Sequence, residues 1–183
     1  RSVNRHIVAA TVLGMSEREP YYPSCPELVD AIARSGQSQA QSVPEKRSCN
    51  KKTTQDGTTG VWRCAAGHCC QQPVFRYICK LKVADHTEEL EVNLFDDVAT
   101  KLFGCEAQVY APLFVENALD ASGKLQQING RVEWRRFFLK LRASKEVWQE
   151  AEIVRYTLDE ATPLAVVQGA RQMLAEVQSA LQA

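Results

Sequence analysis

Metal-binding side chains are concentrated in one part of the chain, and they are the first candidates for chemistry. The thiols and the imidazole lie at Cys25, Cys49, Cys64 and the triplet His68-Cys69-Cys70. The surrounding segment is rich in Pro, Gly, Ser, Thr, Asn, Gln and Lys, so it has few apolar side chains for a hydrophobic core. Clustered Cys and His in such a segment most often bind tetrahedral Zn²⁺, which predicts a zinc site.

The spacing of these residues predicts the kind of zinc site. A Lys-, Thr- and Gly-rich turn and the strand-like Val61-Trp62-Arg63 separate Cys49 from Cys64. This layout of knuckle, hairpin and knuckle is typical of a zinc ribbon, in which each knuckle supplies two ligands. The candidate ligands are Cys25 with Cys49 in the first knuckle and Cys64 with His68, Cys69 or Cys70 in the second. No obvious general base lies beside them, so a structural zinc is expected. The alternative is a set of buried cysteines without metal.

A basic strand near the C-terminal end could bind nucleic acid. From Arg131 to Lys145 there are six basic residues and one acidic residue, although the whole chain has a net charge of zero. Strand alternation places Arg136, Phe138, Lys140 and Arg142 on one face, and Phe137, Leu139 and Leu141 on the other, which is expected to face the core. Cations for phosphates and an aromatic ring for base stacking are the combination that binds single strands. A solvated strand face explains the pattern equally well.

The order of the remaining elements predicts the fold. Alternating apolar residues predict strands over His6–Leu13, Phe75–Val83, Leu90–Leu94, Trp134–Ser144 and Ala151–Leu158. Short helices are predicted over 26–34 and over 98–103, and a loop over 117–130. Five strands, a helix after the third and a closing helix predict a mainly β protein with a five-stranded OB-fold barrel. This barrel would occupy residues 1–161, with the zinc ribbon inserted at about 21–73.

The C-terminal segment, 162–183, is predicted to be a helix that assembles with partner helices. Thr162 is a favourable N-cap, and Pro163 is favoured at the first helical position. Apolar residues recur at three- and four-residue steps, including Leu164, Val167, Leu174, Val177 and Leu181. The alternative is that this helix only packs against the barrel.

Other function classes lack support in the sequence. There is no nucleophile motif, glycine-rich phosphate loop or pair of partnered carboxylates, so we expect no enzyme. No apolar run is long enough to span a bilayer, and we expect no membrane partner. The chain begins at Arg1 within a strand-like pattern, which suggests a part of a longer polypeptide.

Several short motifs together resemble a known family. They are Cys49-Asn50-Lys51-Lys52, Trp62-Arg63-Cys64, Phe75-Arg76-Tyr77, Leu94-Phe95-Asp96-Asp97 and Trp134-Arg135-Arg136-Phe137. In this order they resemble the C-terminal DNA-binding domain of the large subunit of replication protein A. The resemblance covers nearly the whole chain, and no single motif carries it.

The resemblance implies a zinc-ribbon OB-fold that binds single-stranded DNA in the nucleus, during replication, repair and recombination. It also implies that the C-terminal helix joins the middle and small subunits in a heterotrimer. The alternative is a paralogue of the same fold that serves telomeres or meiosis, or that acts mainly as a scaffold.

The resemblance also implies particular site residues. Family aromatics that meet DNA bases match Phe95 and Trp148, and Arg135 is the best match for a basic contact. Further DNA-binding candidates are Lys51, Lys52, Arg142 and Phe138. For the metal it implies Cys25, Cys49 and Cys64. Counting back from Phe75-Arg76-Tyr77 selects His68 as the fourth ligand, whereas ligand type and loop length favour Cys69, which we take as the prediction.

Overall fold

A computed structural model describes most of the chain and divides it into two compact units. The described residues are 3–16, 18–30, 46–115, 119–148 and 151–181. One unit comprises Arg1–Pro20 and Tyr77–Ala183, and the other comprises Tyr21–Arg76. The insertion predicted at about 21–73 therefore lies within the second unit.

The described elements are mainly strands, with four helices. In chain order they are β1 (Val3–Met15), β2 (Tyr21–Ser24), β3 (Leu28–Asp30), β4 (Lys46–Ser48), β5 (Thr53–Gln55), β6 (Trp62–Cys64), β7 (Cys69–Cys70), β8 (Val74–Ala84), β9 (Glu89–Phe95), α1 (Asp96–Phe103), α2 (Ala107–Val115), α3 (Leu119–Asn129), β10 (Arg136–Trp148), β11 (Ala151–Pro163) and α4 (Val166–Leu181). None of these described helices has the length and apolar character needed to cross a membrane.

The first unit is a barrel, because the pairings of its five long strands form a closed ring. β1 pairs with β10, β10 with β11, β11 with β9, β9 with β8, and β8 with β1. Only the pairing of β11 with β9 is parallel. The register of β1 shifts between Val12 and Gly14, and such an irregularity bends a strand from one partner towards another. This topology confirms the predicted OB-fold.

Alternate residues of these strands fill the interior of the barrel. The buried residues include Tyr77, Cys79, Leu81 and Val83 of β8, Val92 and Leu94 of β9, and Phe137, Leu139 and Leu141 of β10. Burying a large apolar side chain stabilises a fold by about 1.5–3 kcal/mol. The inward face predicted for the basic strand is therefore confirmed, and its cations lie on the outward face.

Three helices follow β9 and close one side of the core. α1 ends at Gly104, which has a φ of 72° and donates its N–H to Thr100 O at 2.8 Å. Tyr77, Phe103 and Tyr110 pack together with ring centroids 5.4–5.8 Å apart. The loop predicted over 117–130 is wrong for Leu119–Asn129, which forms α3. Asn129 at its end accepts a hydrogen bond from the Tyr110 hydroxyl at 3.0 Å, so tertiary contact holds this weakly patterned helix.

The short helix predicted over 26–34 is also wrong where the structure describes it. Leu28–Asp30 is a strand that pairs in antiparallel fashion with Lys46–Ser48. The Cys49 N–H extends this pairing by donating to Glu27 O at 2.7 Å. Residues 31–34 of the predicted helix lie outside the described part of the chain. Backbone pairing with a distant segment therefore outweighs the local helix signals.

The last helix begins later than predicted. Thr162 pairs with Phe138, and Pro163 pairs with Phe137, so both residues end β11 instead of starting a helix. Proline is tolerated at a strand end because its missing N–H costs no ladder hydrogen bond there. The helix α4 then runs over Val166–Leu181.

We expect Gly104→Ala to destabilise the barrel and Gly123→Ala to stabilise it. The left-handed φ of Gly104 costs about 1–2 kcal/mol for an L-residue. A Cβ at Gly104 would also displace the Arg131 guanidinium. A Cβ at Gly123, inside α3, meets no atom within 4 Å, and alanine favours a helix by about 0.5–1 kcal/mol. Urea unfolding of both variants measures these changes, and a shift of both in the same direction would contradict the structure.

Candidate metal centre and nucleic-acid interface

A three-stranded sheet positions the second knuckle. β5 and β6 form an antiparallel hairpin, and β7 pairs with the other edge of β6. In the hairpin turn, Asp56 Oδ1 accepts the Thr58 N–H at 2.8 Å, and Gly60 has a φ of 70°. This is the Thr- and Gly-rich turn that the sequence predicted between Cys49 and Cys64.

Backbone hydrogen bonds bring the two cysteines of the first knuckle together. The Cys25 N–H donates to Lys51 O at 2.9 Å, and the Asn50 N–H donates to Cys25 O at 3.1 Å. Asn50 has a φ of 54°, a left-handed conformation that Asn tolerates better than most residues. Cys25 and Cys49 are therefore neighbours in space although they are far apart in the sequence.

A tight turn forms the second knuckle. The Gly67 N–H donates to Cys64 O at 2.9 Å, and the Cys64 N–H donates to His68 O at 3.1 Å. Gly67 has a φ of 85°, a conformation that favours glycine. These bonds hold the His68 ring beside the Cys64 thiol.

Four ligand atoms from the two knuckles converge. The thiols of Cys25, Cys49 and Cys64 and a ring nitrogen of His68 all lie within 4.8 Å of one another. Cys25 Sγ lies 3.7 Å from His68 Nδ1. Ligands about 2.0–2.3 Å from a tetrahedral Zn²⁺ are separated by ~3.6–3.8 Å, so these four donors are close enough to bind zinc.

The cluster contains His68 where the sequence prediction placed Cys69. Cys69 is exposed, and its Sγ lies 3.9 Å from Gly67 O. Strand register explains this position, because Cys69 pairs with the exposed Arg63 while the adjacent Cys64 points to the buried side. Cross-strand partners lie on the same face of a sheet, so Cys69 points away from the Cys64 thiol. The geometry favours the alternative ligand, His68.

The pKa values of the Cys25 and Cys64 thiols are shifted in opposite directions. Burial raises the pKa of the Cys25 thiol to about 11. Burial also acts to raise the pKa of Cys64, but the backbone N–H groups of Ala66 and His68 lower it below its usual value. A metal ion would take the place of the Cys25 proton, so metal affinity should fall as the pH falls.

An aromatic residue and a groove lie on the outward face of the barrel. Phe95 is 46% exposed and pairs across the strands with Ile78, which is 49% exposed. Two residues earlier on β9, Asn93 lines a groove, which we call the β8–β9 groove. It is lined by Lys80 of β8, by Glu91 and Asn93 of β9, and by four residues of the adjoining β11: Ile153, Val154, Arg155 and Tyr156. Alternation along β8 places Lys80 on the outward face, but nothing in the sequence pattern places Arg155 in the same groove.

Carboxylates accompany the cations of the β10–β11 hairpin. Arg142 Nη2 lies 3.2 Å from Asp159 Oδ1, and Lys145 Nζ lies 3.5 Å from Glu152 Oε2. Arg155 Nη2 lies 3.1 Å from Glu146 Oε2. Lys140 likewise pairs with Glu160. These pairs are exposed, and such pairs are each worth about 0–1 kcal/mol, so a phosphate could compete for the cations.

The other candidate residues for DNA occupy several places. Phe138 is half-buried on the outward face of β10, and Arg135 is exposed just before this strand. Trp148 ends β10 opposite Ala151, and its side chain lies outside the described part. Lys51 and Lys52 are exposed in the second unit, beside the metal ligands.

Trp134 is an exposed aromatic residue in an uncommon backbone conformation. Its φ is 60°, and 73% of its surface is exposed. For a residue other than glycine this conformation costs about 1–2 kcal/mol. The sequence pattern gave no sign of it, because the positive φ follows from the turn that leads into β10.

The helix α4 leaves an apolar stripe exposed. Met173, Leu174, Val177 and Leu181 are 53%, 58%, 56% and 82% exposed. Leu164, before the helix, is half-buried, and the side chain of Val167 lies outside the described part. Arg136 Nη1 lies 3.6 Å from Met173 Sδ. A row of exposed apolar side chains indicates a surface for another molecule.

A closed OB-fold barrel with an inserted Cys₃His module defines a class of zinc-ribbon OB-fold proteins. Within this class, the chain belongs to the family described as the replication factor-A C-terminal domain, whose model matches residues 6–173.

Individual proteins that are similar to the chain are consistent with this family assignment. The chain is 26% identical over 152 residues to a 70 kDa DNA-binding subunit of replication protein A from Oryza sativa subsp. japonica, covering 82% of this chain and 14% of the relative. It is 36% identical over 104 residues to the replication factor A protein 1 of Schizosaccharomyces pombe, covering 54% and 16%. The chain thus spans about a sixth of the relatives' length.

A solved structure shares the fold. It is a replication protein A heterotrimer bound to single-stranded DNA, which superposes with a TM-score of 0.71 at 24% identity. The match covers 96% of this chain and 35% of the chain in that structure.

We expect His68→Ala to lose zinc and Cys69→Ser to retain it. Removing a donor from the converged cluster leaves three protein ligands, whereas Cys69 points away from it. Metal content after gel filtration, measured by plasma mass spectrometry, distinguishes the variants. Full zinc in His68→Ala together with loss in Cys69→Ser would support Cys69 as the ligand instead.

Proposed function

We propose that this chain binds single-stranded DNA as the C-terminal domain of a replication protein A large subunit in the nucleus. The observation that carries the proposal is the outward face of β8 and β9. There the exposed ring of Phe95 lies on the same face as the β8–β9 groove, whose lining includes Asn93 and two cations held in surface ion pairs, Lys80 with Glu91 and Arg155 with Glu146. Aromatic rings stack on bases, and cations bind the phosphates between them. The matched relatives and the matched heterotrimer support this assignment.

The metal in this proposal is a structural Zn²⁺. Cys25, Cys49, Cys64 and His68 would hold it, and four protein ligands leave no open position for a reacting water. A Zn²⁺ bound there would crosslink the two knuckles. This crosslink would compensate for the small amount of apolar packing in the polar second unit. The chain's own residues perform recognition, and we assign no catalytic step to them.

Heterotrimer assembly is the second part of the proposal. The exposed stripe of α4 would be covered by helices of the middle and small replication protein A subunits. An exposed apolar stripe on a helix is stabilised when it packs against apolar side chains of another helix. In such a bundle the side chains of one helix insert between those of the next. Roles in repair and recombination would follow from the same DNA binding.

We expect Phe95→Ala and Trp148→Ala to weaken binding to oligo-dT. Each stacked base contributes about 1–3 kcal/mol, so a loss of about fivefold or more is expected for each variant. Fluorescence anisotropy at several salt concentrations measures affinity, and phosphate binding requires a negative slope of log K against log salt.

Val115→Ala serves as the matched control for this experiment. Val115 is 70% exposed at the end of α2, is not among the proposed DNA contacts, and its truncation should leave affinity unchanged. If the wild type does not bind, or if both aromatic variants bind like it, the proposed DNA-binding function fails.

We expect Val177→Glu to prevent assembly with the middle and small subunits. A charge within the apolar stripe would have to be buried in the helix bundle, at a cost of several kcal/mol. Ser179→Glu is the control, because it adds the same charge at an exposed position about 200° around the helix axis from Val177. Co-expression and size-exclusion chromatography of the three proteins check the result. Equal assembly of both variants would exclude the α4 stripe as the interface.

A further inference from the structure

We propose that Trp134, at the entry to β10, forms a second contact for single-stranded DNA outside the β8–β9 groove, together with its neighbour Arg135, the basic residue that the family resemblance already implies. The ring of Trp134 would stack on a base, and the Arg135 guanidinium would bind an adjoining phosphate. This inference rests on the proposed function, because it adds a contact to the same DNA strand.

The backbone around Trp134 is held from both sides. The Trp134 N–H donates to Val12 O at 2.7 Å, and the Val12 N–H donates to Arg135 O at 3.0 Å. The Arg135 N–H donates to Val132 O at 3.2 Å, and Val132 is 1% exposed. These bonds impose the positive φ, while the indole itself remains largely in solvent.

The backbone bonds require a positive φ at position 134, but they do not require a tryptophan there. An exposed side chain contributes little packing, and glycine or asparagine would adopt the same backbone at lower cost. Strained residues persist where the surrounding structure fixes them, and they are concentrated at functional sites. We therefore attribute the presence of tryptophan at this position to a function of its aromatic ring.

The charge beside Trp134 differs from the charge on the hairpin. Lys140, Arg142 and Lys145 each lie within 4 Å of a carboxylate of β11. Within the described part of the chain, Arg135 and Arg136 have no carboxylate at that distance, and both are exposed. The contact of Arg136 with Met173 does not neutralise its charge. The positive potential at the entry to β10 is thus available to an anion.

Single-stranded DNA fits this surface better than a partner helix does. A partner helix that covers α4 requires an apolar neighbour, whereas Trp134 is followed by two guanidinium groups. An aromatic face next to cations binds a base and its phosphates. Charge complementarity therefore selects the polyanion.

The contact is separate from the hairpin contacts on β10. Trp134 precedes Arg142 by eight residues, a separation of ~27 Å along an extended chain. The two places can therefore be altered independently.

The test compares Trp134→Asn with Phe95→Ala on a long oligo-dT of about 30 nucleotides, longer than the ~4–16 nucleotides that one OB-fold covers. We expect Trp134→Asn to bind about tenfold more weakly and Trp134→Phe to bind within about threefold of the wild type. Loss of binding in Phe95→Ala with unchanged binding in Trp134→Asn would overturn this inference and leave the proposed function intact. A wild type that does not bind would remove both.

Stability distinguishes recognition from folding at Trp134. Asparagine suits the left-handed conformation, so Trp134→Asn should melt at a temperature equal to the wild type's or about 2–4 °C higher. A lower melting temperature together with weaker binding would assign Trp134 a structural role and overturn the inference.

Matched variants control for loss of apolar surface and of charge. Ile7→Thr removes apolar surface from a residue that is 69% exposed, and it should bind like the wild type. Arg135→Gln should reduce the salt slope by about 0.7, the value for one phosphate contact, whereas Lys124→Gln on α3 should not. Equal losses in Ile7→Thr and Trp134→Asn, or equal slopes in Arg135→Gln and the wild type, would overturn the assignment.

Assembly tests the competing occupant. If Trp134→Asn binds DNA normally but no longer retains the middle and small subunits, the surface belongs to a protein partner and the DNA assignment is wrong. Unchanged assembly with weakened DNA binding supports the inference.

Discussion

The double pairing of β1 is the interaction on which the barrel depends. β1 pairs with β10 up to Thr11 and with β8 from Thr11 onwards, and its register shifts between Val12 and Gly14. Without this change of partner the sheet would have two open edges, each with unpaired backbone groups. Closure fixes which residues of β8 and β9 face outward. Val12, at the change of partner, also holds the backbone of Trp134 and Arg135.

The second unit depends for its stability on a crosslink more than on an apolar core. In the described part of this unit, two of the four converging donors, Cys25 and Cys64, are buried, whereas the large apolar side chain of Leu28 is exposed. A small unit with so little apolar burial needs a crosslink, and small domains commonly use disulfides or metals for this purpose. Backbone bonds already bring Cys25 beside Cys49 and Cys64 beside His68. A metal would therefore join two preformed knuckles, and less of its binding energy would be spent on ordering them.

The sequence predicted the features that depend on local periodicity. The inward faces of β8 and β10 could be found because burial imposes a period of two on each strand. The choice between His68 and Cys69 could not, because it depends on the register of β7 against Arg63. The ion pairs of β10 were hidden for a similar reason, since their carboxylates lie on β11. The same applies to β3, which takes its conformation from a partner strand about twenty residues away in sequence.

The distribution of paired and unpaired cations bears on how a strand of DNA would be held. A phosphate that binds Arg142 must compete with Asp159, so part of its attraction is spent on separating an existing pair. A phosphate that binds Arg135 displaces only water and small ions. Cations of equal formal charge therefore contribute unequally to DNA binding. The count of basic residues in the sequence overstates how strongly the β10–β11 hairpin attracts phosphates. The segment that enters β10 has fewer cations, but their charge is uncompensated by the described carboxylates, and an exposed indole adjoins them. The backbone that carries the indole and Arg135 is held by hydrogen bonds to Val12, the residue at which β1 changes partner.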